Sequence, residues 1–101
     1  MYRQGDVLVW PVQKIPGSAQ AGIRDNGKIV LAYGEVTGHS HSIAESATEL
    51  LEYEGARYLR VPVEGASLKH EEHETIELPA GEYRIITQRE YTPKAIVNVL
   101  D

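Results

Sequence analysis

Glu49-Leu50-Leu51-Glu52-Tyr53-Glu54-Gly55-Ala56-Arg57-Tyr58-Leu59-Arg60-Val61-Pro62-Val63 contains two short strand-forming runs, Glu49 to Tyr53 and Ala56 to Val63, divided by Glu54-Gly55. Such runs on either side of a tight glycine turn read as a β-hairpin. The same pattern continues downstream. Glu64-Gly65 turns into Ala66-Ser67-Leu68-Lys69-His70, and Thr75 to Leu78 with Glu82 to Thr87 predict another hairpin through Pro79-Ala80-Gly81. Upstream, Lys28 to Tyr33 is an apolar run that follows the turn Asp25-Asn26-Gly27-Lys28. Asp6 to Val12 reads as a first strand, in which Pro11 lacks a backbone donor and marks an edge or an end. Between these two lies Ile15 to Gly27, a long connection containing Gly, Ser and Pro. Only the end of the chain reads as helix. Thr92-Pro93 supplies a cap and a proline at the first helical position, and Ile96, Val99 and Leu100 recur with helical spacing. The expected fold is all-β: a small single-domain β-barrel or sandwich over 1–101, with about eight short strands and a short C-terminal helix.

Composition narrows the function. A chain of 101 residues forms one modest core, and its 42% hydrophobic and 25% charged residues are ordinary for a soluble globular protein. No apolar run approaches the roughly 20 residues of a membrane-spanning helix. Met1 to Asp6 lacks the basic, apolar, small-residue order of a signal peptide, so a cytoplasmic location is expected. The absence of cysteine excludes disulfides, thiolate catalysis and cysteine-held metals, leaving nitrogen and oxygen to hold any metal. The net charge of −5, with acidic residues mixed among Arg57, Arg60, Arg84 and Arg89, argues against nucleic acid as a partner. There is no phenylalanine, so six tyrosines and Trp10 must furnish the aromatic core, and their hydroxyls need partners inside it.

All 4 histidines fall in two tight pairs, His39-Ser40-His41 and His70-Glu71-Glu72-His73. Histidine titrates near neutral pH and is the commonest metal-ligating side chain, so the pairs point to a metal or a proton. Residues two apart on a strand share a face. Thr37, His39, His41, Ile43 and Glu45 therefore lie on one side, and Val36, Gly38, Ser40, Ser42 and Ala44 on the other. If Leu68, Ile76 and Leu78 face the core, parity turns His70, Glu72 and Glu74 inward. His73 then points outward, unless Glu71-Glu72 forms a turn or bulge that resets the parity. The expected ligands are His39, His41 and His70, with His73 a fourth ligand or a group supporting them. Three histidines with an open position suit catalytic zinc; four protein ligands suit a closed structural site. The plain alternatives are a solvated acidic loop at His70 to His73 and a polar interior lined by His39 and His41.

Three resemblances bear on these residues. His39-x-His41 followed by His70 resembles the zinc site of alpha-type carbonic anhydrases, which implies His39, His41 and His70 as ligands of a zinc-bound hydroxide that attacks carbon dioxide or another small electrophile. His39-Ser40-His41-Ser42-Ile43-Ala44-Glu45 is similar to the first motif of cupins, and Pro79-Ala80-Gly81 to the opening of their second. Where that second motif carries its histidine, this chain has Arg84. Gly34-Glu35-Val36-Thr37-Gly38-His39-Ser40-His41, the His-Glu-Glu-His segment and Gln88-Arg89-Glu90-Tyr91 together resemble a group of short uncharacterised bacterial or phage proteins.

The leading expectation is an enzyme in which zinc lowers the pKa of bound water to near 7, and the resulting hydroxide hydrates or hydrolyses a small-molecule substrate. Glu72, Glu45 or Thr37 would orient that water or carry its proton, and Gln88 or Arg89 would stabilise a developing oxyanion. One alternative is a cupin-like oxygenase, isomerase or lyase using iron or nickel, with Glu45 or Glu72 as a carboxylate ligand. Another is a non-catalytic module with structural zinc or a metal-sensing role. A domain this small offers little pocket volume, so a homo-oligomer that builds the site from several copies is a further expectation.

Overall fold

In a computed structural model, which describes residues 1–33 and 39–87, the described residues form ten strands. They are β1 (Tyr2–Gln4), β2 (Val7–Val12), β3 (Gln20–Ala21), β4 (Ile29–Tyr33), β5 (Ser40–Ile43), β6 (Glu49–Tyr53), β7 (Ala56–Val61), β8 (Ala66–His70), β9 (His73–Leu78) and β10 (Gly81–Thr87). One sheet has six strands in the order β1-β2-β10-β7-β6-β3, and the other has four in the order β4-β5-β8-β9; every pairing is antiparallel. No described residue is helical, so among the described residues no helix is long and apolar enough to cross a membrane. The helix expected after Thr92-Pro93 lies outside the described residues.

The alternation read from sequence positions the core. Val7 and Val9 of β2, Leu59 and Val61 of β7 and Tyr83 and Ile85 of β10 are buried on the inner face of the larger sheet. Against them lie Ile29 and Leu31 of β4, Ile43 of β5, Ala66 and Leu68 of β8 and Leu78 of β9, so both sheets contribute to one cluster. Period-two burial on facing sheets is the geometry of a β-sandwich. The phenol of Tyr83 meets the need for a partner by donating to the Pro79 carbonyl at 2.6 Å.

Two turns follow the sequence closely. Asn26 (φ 52°) and Gly27 (φ 77°) occupy the left-handed region between Asp25 and Lys28, which exchange backbone hydrogen bonds of 2.8 and 2.9 Å. That is a type I′ turn, the form an Asn-Gly pair favours. Glu54 and Gly55, likewise at positive φ, close the β6–β7 hairpin in the expected register, Tyr53 opposite Ala56.

One expected hairpin is overturned. β9 does not pair with β10; it pairs with β8, and Pro79-Ala80 carries the chain from one sheet to the other. The reason is that β10 lies inside the larger sheet, with β2 on one edge and β7 on the other, so no edge remains for β9. Two short strands exceed the expected number. Tyr2–Gln4 forms a hairpin with β2 around Gly5-Asp6, and Gln20–Ala21 within the long connection pairs with β6. Pro11 sits in β2 past the last residue that β1 pairs, so its missing donor disrupts no ladder on that side.

Candidate metal centre

The smaller sheet brings the two histidine pairs together. His41 follows the parity of Ile43, and both are buried on the inner face of β5. β8 pairs with β5 through Ile43 opposite Leu68, so His70, two residues beyond Leu68, continues the row beside His41. Their ring centroids are 4.3 Å apart. On the far side of β8, Leu68 faces Ile76 while His70 faces His73, which leaves one residue between them on β8 and two on β9. This bulge resets the parity of β9. His73 therefore joins the row on the face of His70, with ring centroids 4.6 Å apart, and its ring stacks at 5.7 Å from that of His41. His39, immediately before β5, sits edge-on to His70 at 5.7 Å.

Hydrogen bonds set the chemical state of two rings. Gln4 is buried, and its amide Nε2–H donates to the carbonyls of Leu68 (3.0 Å) and Glu74 (2.9 Å). Those two acceptors orient the amide, so its Oε1 must face the His41 Nδ1 at 2.8 Å. An amide oxygen can only accept, so Nδ1 carries the proton and Nε2 holds the lone pair of the neutral ring. A polar group that pins a ring nitrogen in this way is the usual support of a metal-ligating histidine. The His41 Nε2 lies 3.7 Å from Asp6 Oδ1. For His70 the sense is opposite: its Nδ1 accepts the Glu72 backbone N–H at 3.0 Å. A metal at the His70 Nε2 would require the proton to move to Nδ1, so metal uptake must break this bond or turn the ring over.

Carboxylates surround the rings. Glu72 Oε2 lies 3.5 Å from His39 Nδ1. Glu71 Oε1 accepts the Ser40 N–H at 3.0 Å, which ties the β8–β9 turn to the start of β5. Backbone donors, its own N–H and that of Ser40, hold the Glu71 carboxyl below the usual carboxylate range, with His39 and His70 adding to the effect. Ligand atoms of His39, His70 and Glu71 all lie within 4.8 Å of one another. Zinc bonds of about 2.0–2.2 Å set neighbouring ligand atoms roughly 3.3 Å apart, so this set closes on an ion with side-chain shifts of about 1 Å. All three side chains are at least partly exposed and have room for that movement.

One candidate carboxylate has another partner. Glu45, the carboxylate of the cupin-like spacing, accepts the Ser67 N–H at 3.2 Å. Thr37, Gln88 and Arg89 lie outside the described residues. Conversely, Gln4, Gly5, Asp6 and Glu71 adjoin the cluster and had not been singled out. Reading Tyr2–Gln4 as a strand would have exposed the signal: Tyr2 packs on the core, so parity buries Gln4 on the same face.

A family model described as "Domain of unknown function (DUF8820)" matches residues 3–88. The chain belongs to the DUF8820 family. Both histidine pairs, Gln4 and the Gly5-Asp6 turn fall inside the DUF8820 match. No curated protein and no solved structure matches the chain.

Proposed function

We propose that this chain is a histidine-ligated zinc protein whose metal activates a bound water to hydrate or hydrolyse a small substrate. The observation that carries the proposal is the meeting of four imidazoles from two distant segments, with His39, His70 and Glu71 already within 4.8 Å at a partly open rim. Neutral imidazoles and a carboxylate suit zinc, and an incomplete shell leaves a position for water, whose pKa the metal lowers to near 7. Glu72, facing His39 Nδ1, is placed to accept its proton and leave Nε2 for the metal. His39 and His70 are only partly buried and His73 is exposed, which supports a catalytic rather than a structural role.

The carboxylate of Glu71 supports a second reading. Two histidines and one carboxylate with open positions form the usual face for non-haem iron, so an iron-dependent reaction on small molecules is the alternative. Metal analysis of the purified chain separates the two, followed by carbon dioxide hydration and ester hydrolysis assays for zinc. Amide NMR adds a check on the site itself. Metal uptake should shift the Glu72 N–H, because its bond to His70 must break; an unmoved Glu72 amide at metal saturation would exclude His70.

A further inference from the structure

The four rings and their carboxylates divide into two sets. His39, His70 and Glu71 form the first. The second converges on Gly5, at the turn between β1 and β2. A Cβ placed on Gly5 would lie 3.0 Å from His73 Nε2 and 3.5 Å from His41 Nε2. Two imidazole nitrogens on different strands thus border one small space that a side chain would fill. Gly5 adopts φ +60°, a conformation that glycine takes without strain. Asp6, the next residue, brings Oδ1 to 3.7 Å from His41 Nε2.

Resting on the metal reading above, we propose that this space is a second metal subsite, held by His41 Nε2, His73 Nε2 and Asp6 Oδ1 once the exposed His73 side chain turns toward the other two, so that the cluster takes two divalent ions per chain. Unlike the first set, these three do not all lie within 4.8 Å of one another before that movement. Donor number favours this division. Four imidazoles and two carboxylates exceed what one tetrahedral ion accepts, whereas each half has two histidines and a carboxylate, a set that binds a transition metal and leaves positions open. The state of His41 favours it too. The hydrogen bond from His41 Nδ1 to Gln4 places the lone pair on Nε2, the nitrogen that borders the space, so no proton has to move before a metal binds there. His41 is also the most buried of the four rings, which gives the second subsite a fixed wall. A paired site clamps two oxygens of one substrate, so the substrate class widens from carbon dioxide and simple esters to phosphate esters.

The test is a cobalt(II) titration of the full chain, stripped of metal with chelator and followed by visible absorption. Saturation is expected at two equivalents per chain. His73→Ala, which removes an exposed side chain, and Asp6→Asn should each bind one equivalent at full strength and the second at least ten-fold more weakly. His39→Ala should spare the second subsite and lose the first. Gly5→Ala should lose the second equivalent, with circular dichroism separating a filled site from a misfolded chain. Saturation of the natural chain at one equivalent would overturn the second subsite and leave the metal reading intact; no binding would overturn both. Two equivalents that persist in His73→Ala and Asp6→Asn alike would refute these ligands.

Discussion

Gln4→Met tests whether a residue from the larger sheet sets the state of a histidine on the smaller one. Methionine has nearly the same length and volume, so the cavity cost is small. Three hydrogen bonds disappear: those from the Gln4 amide to the Leu68 and Glu74 carbonyls and that from His41 Nδ1. Each is worth about 1 kcal/mol net, and the buried His41 N–H left without its acceptor costs about 1–3 kcal/mol of desolvation. Two amide bonds and the orphaned N–H together give an expected loss of about 3–5 kcal/mol, a large part of the 5–15 kcal/mol typical of a domain, which lowers Tm by more than about 10 °C. Urea unfolding followed by circular dichroism measures it, with the surface change Gln13→Met as a control expected within about 0.5 kcal/mol. A second readout separates positioning from plain stability. The ¹⁵N shifts of the neutral His41 ring should report Nδ1–H in the natural chain and a tautomer mixture in Gln4→Met. A loss under about 0.5 kcal/mol, or an unchanged tautomer, would refute the reasoning.

Other outcomes follow from the fold. Leu59, fully buried on β7 between β10 and β6, should cost about 2–5 kcal/mol when cut to alanine, measured by urea unfolding; a loss below about 1 kcal/mol would contradict its central place. Glu82 accepts the Ile15 N–H at 2.7 Å and a hydrogen bond from Arg60 at 3.1 Å, and these hold its carboxyl below the ordinary 4.5. A depressed carboxyl stabilises the fold above its unfolded pKa, and that contribution is lost as the pH falls through the folded value. The natural chain should therefore exceed Glu82→Gln in stability at neutral pH, with the gap narrowing as the pH falls below the ordinary carboxylate range; a gap independent of pH would sink the assignment. Chelation should remove metal and leave the far-ultraviolet β signal in place, since both sheets pack on a shared apolar core; unfolding on chelation would make the metal structural.

Most of the β architecture is legible in local pattern, because burial here alternates with the strand period. Val7 and Val9, Leu59 and Val61, and Tyr83 and Ile85 each face inward two residues apart. The Asn26-Gly27 and Glu54-Gly55 turns are equally local. Pairing beyond adjacent strands is not. Pro79-Ala80-Gly81 has the composition of a hairpin turn, yet Leu78 and Tyr83 reach the same core from opposite sheets, and only the competition for the edges of β10 decides that. The cluster shows the same division. Strand parity aligns His41 with Ile43 from sequence alone, while the side of β9 on which His73 emerges depends on a bulge that composition does not mark. Gln4 was hidden for a third reason: Tyr2–Gln4 is three residues long, too short for its alternation to stand out.

The most direct test of the account is elemental analysis of the chain purified without chelators, beside His39→Ala/His70→Ala made in the same way. The account expects zinc in at least stoichiometric amount in the natural chain, and about one equivalent less in the double variant while the β fold is kept. A natural chain that holds no transition metal and takes none up at neutral pH would contradict it, as would a metal content that is unchanged after both histidines are gone.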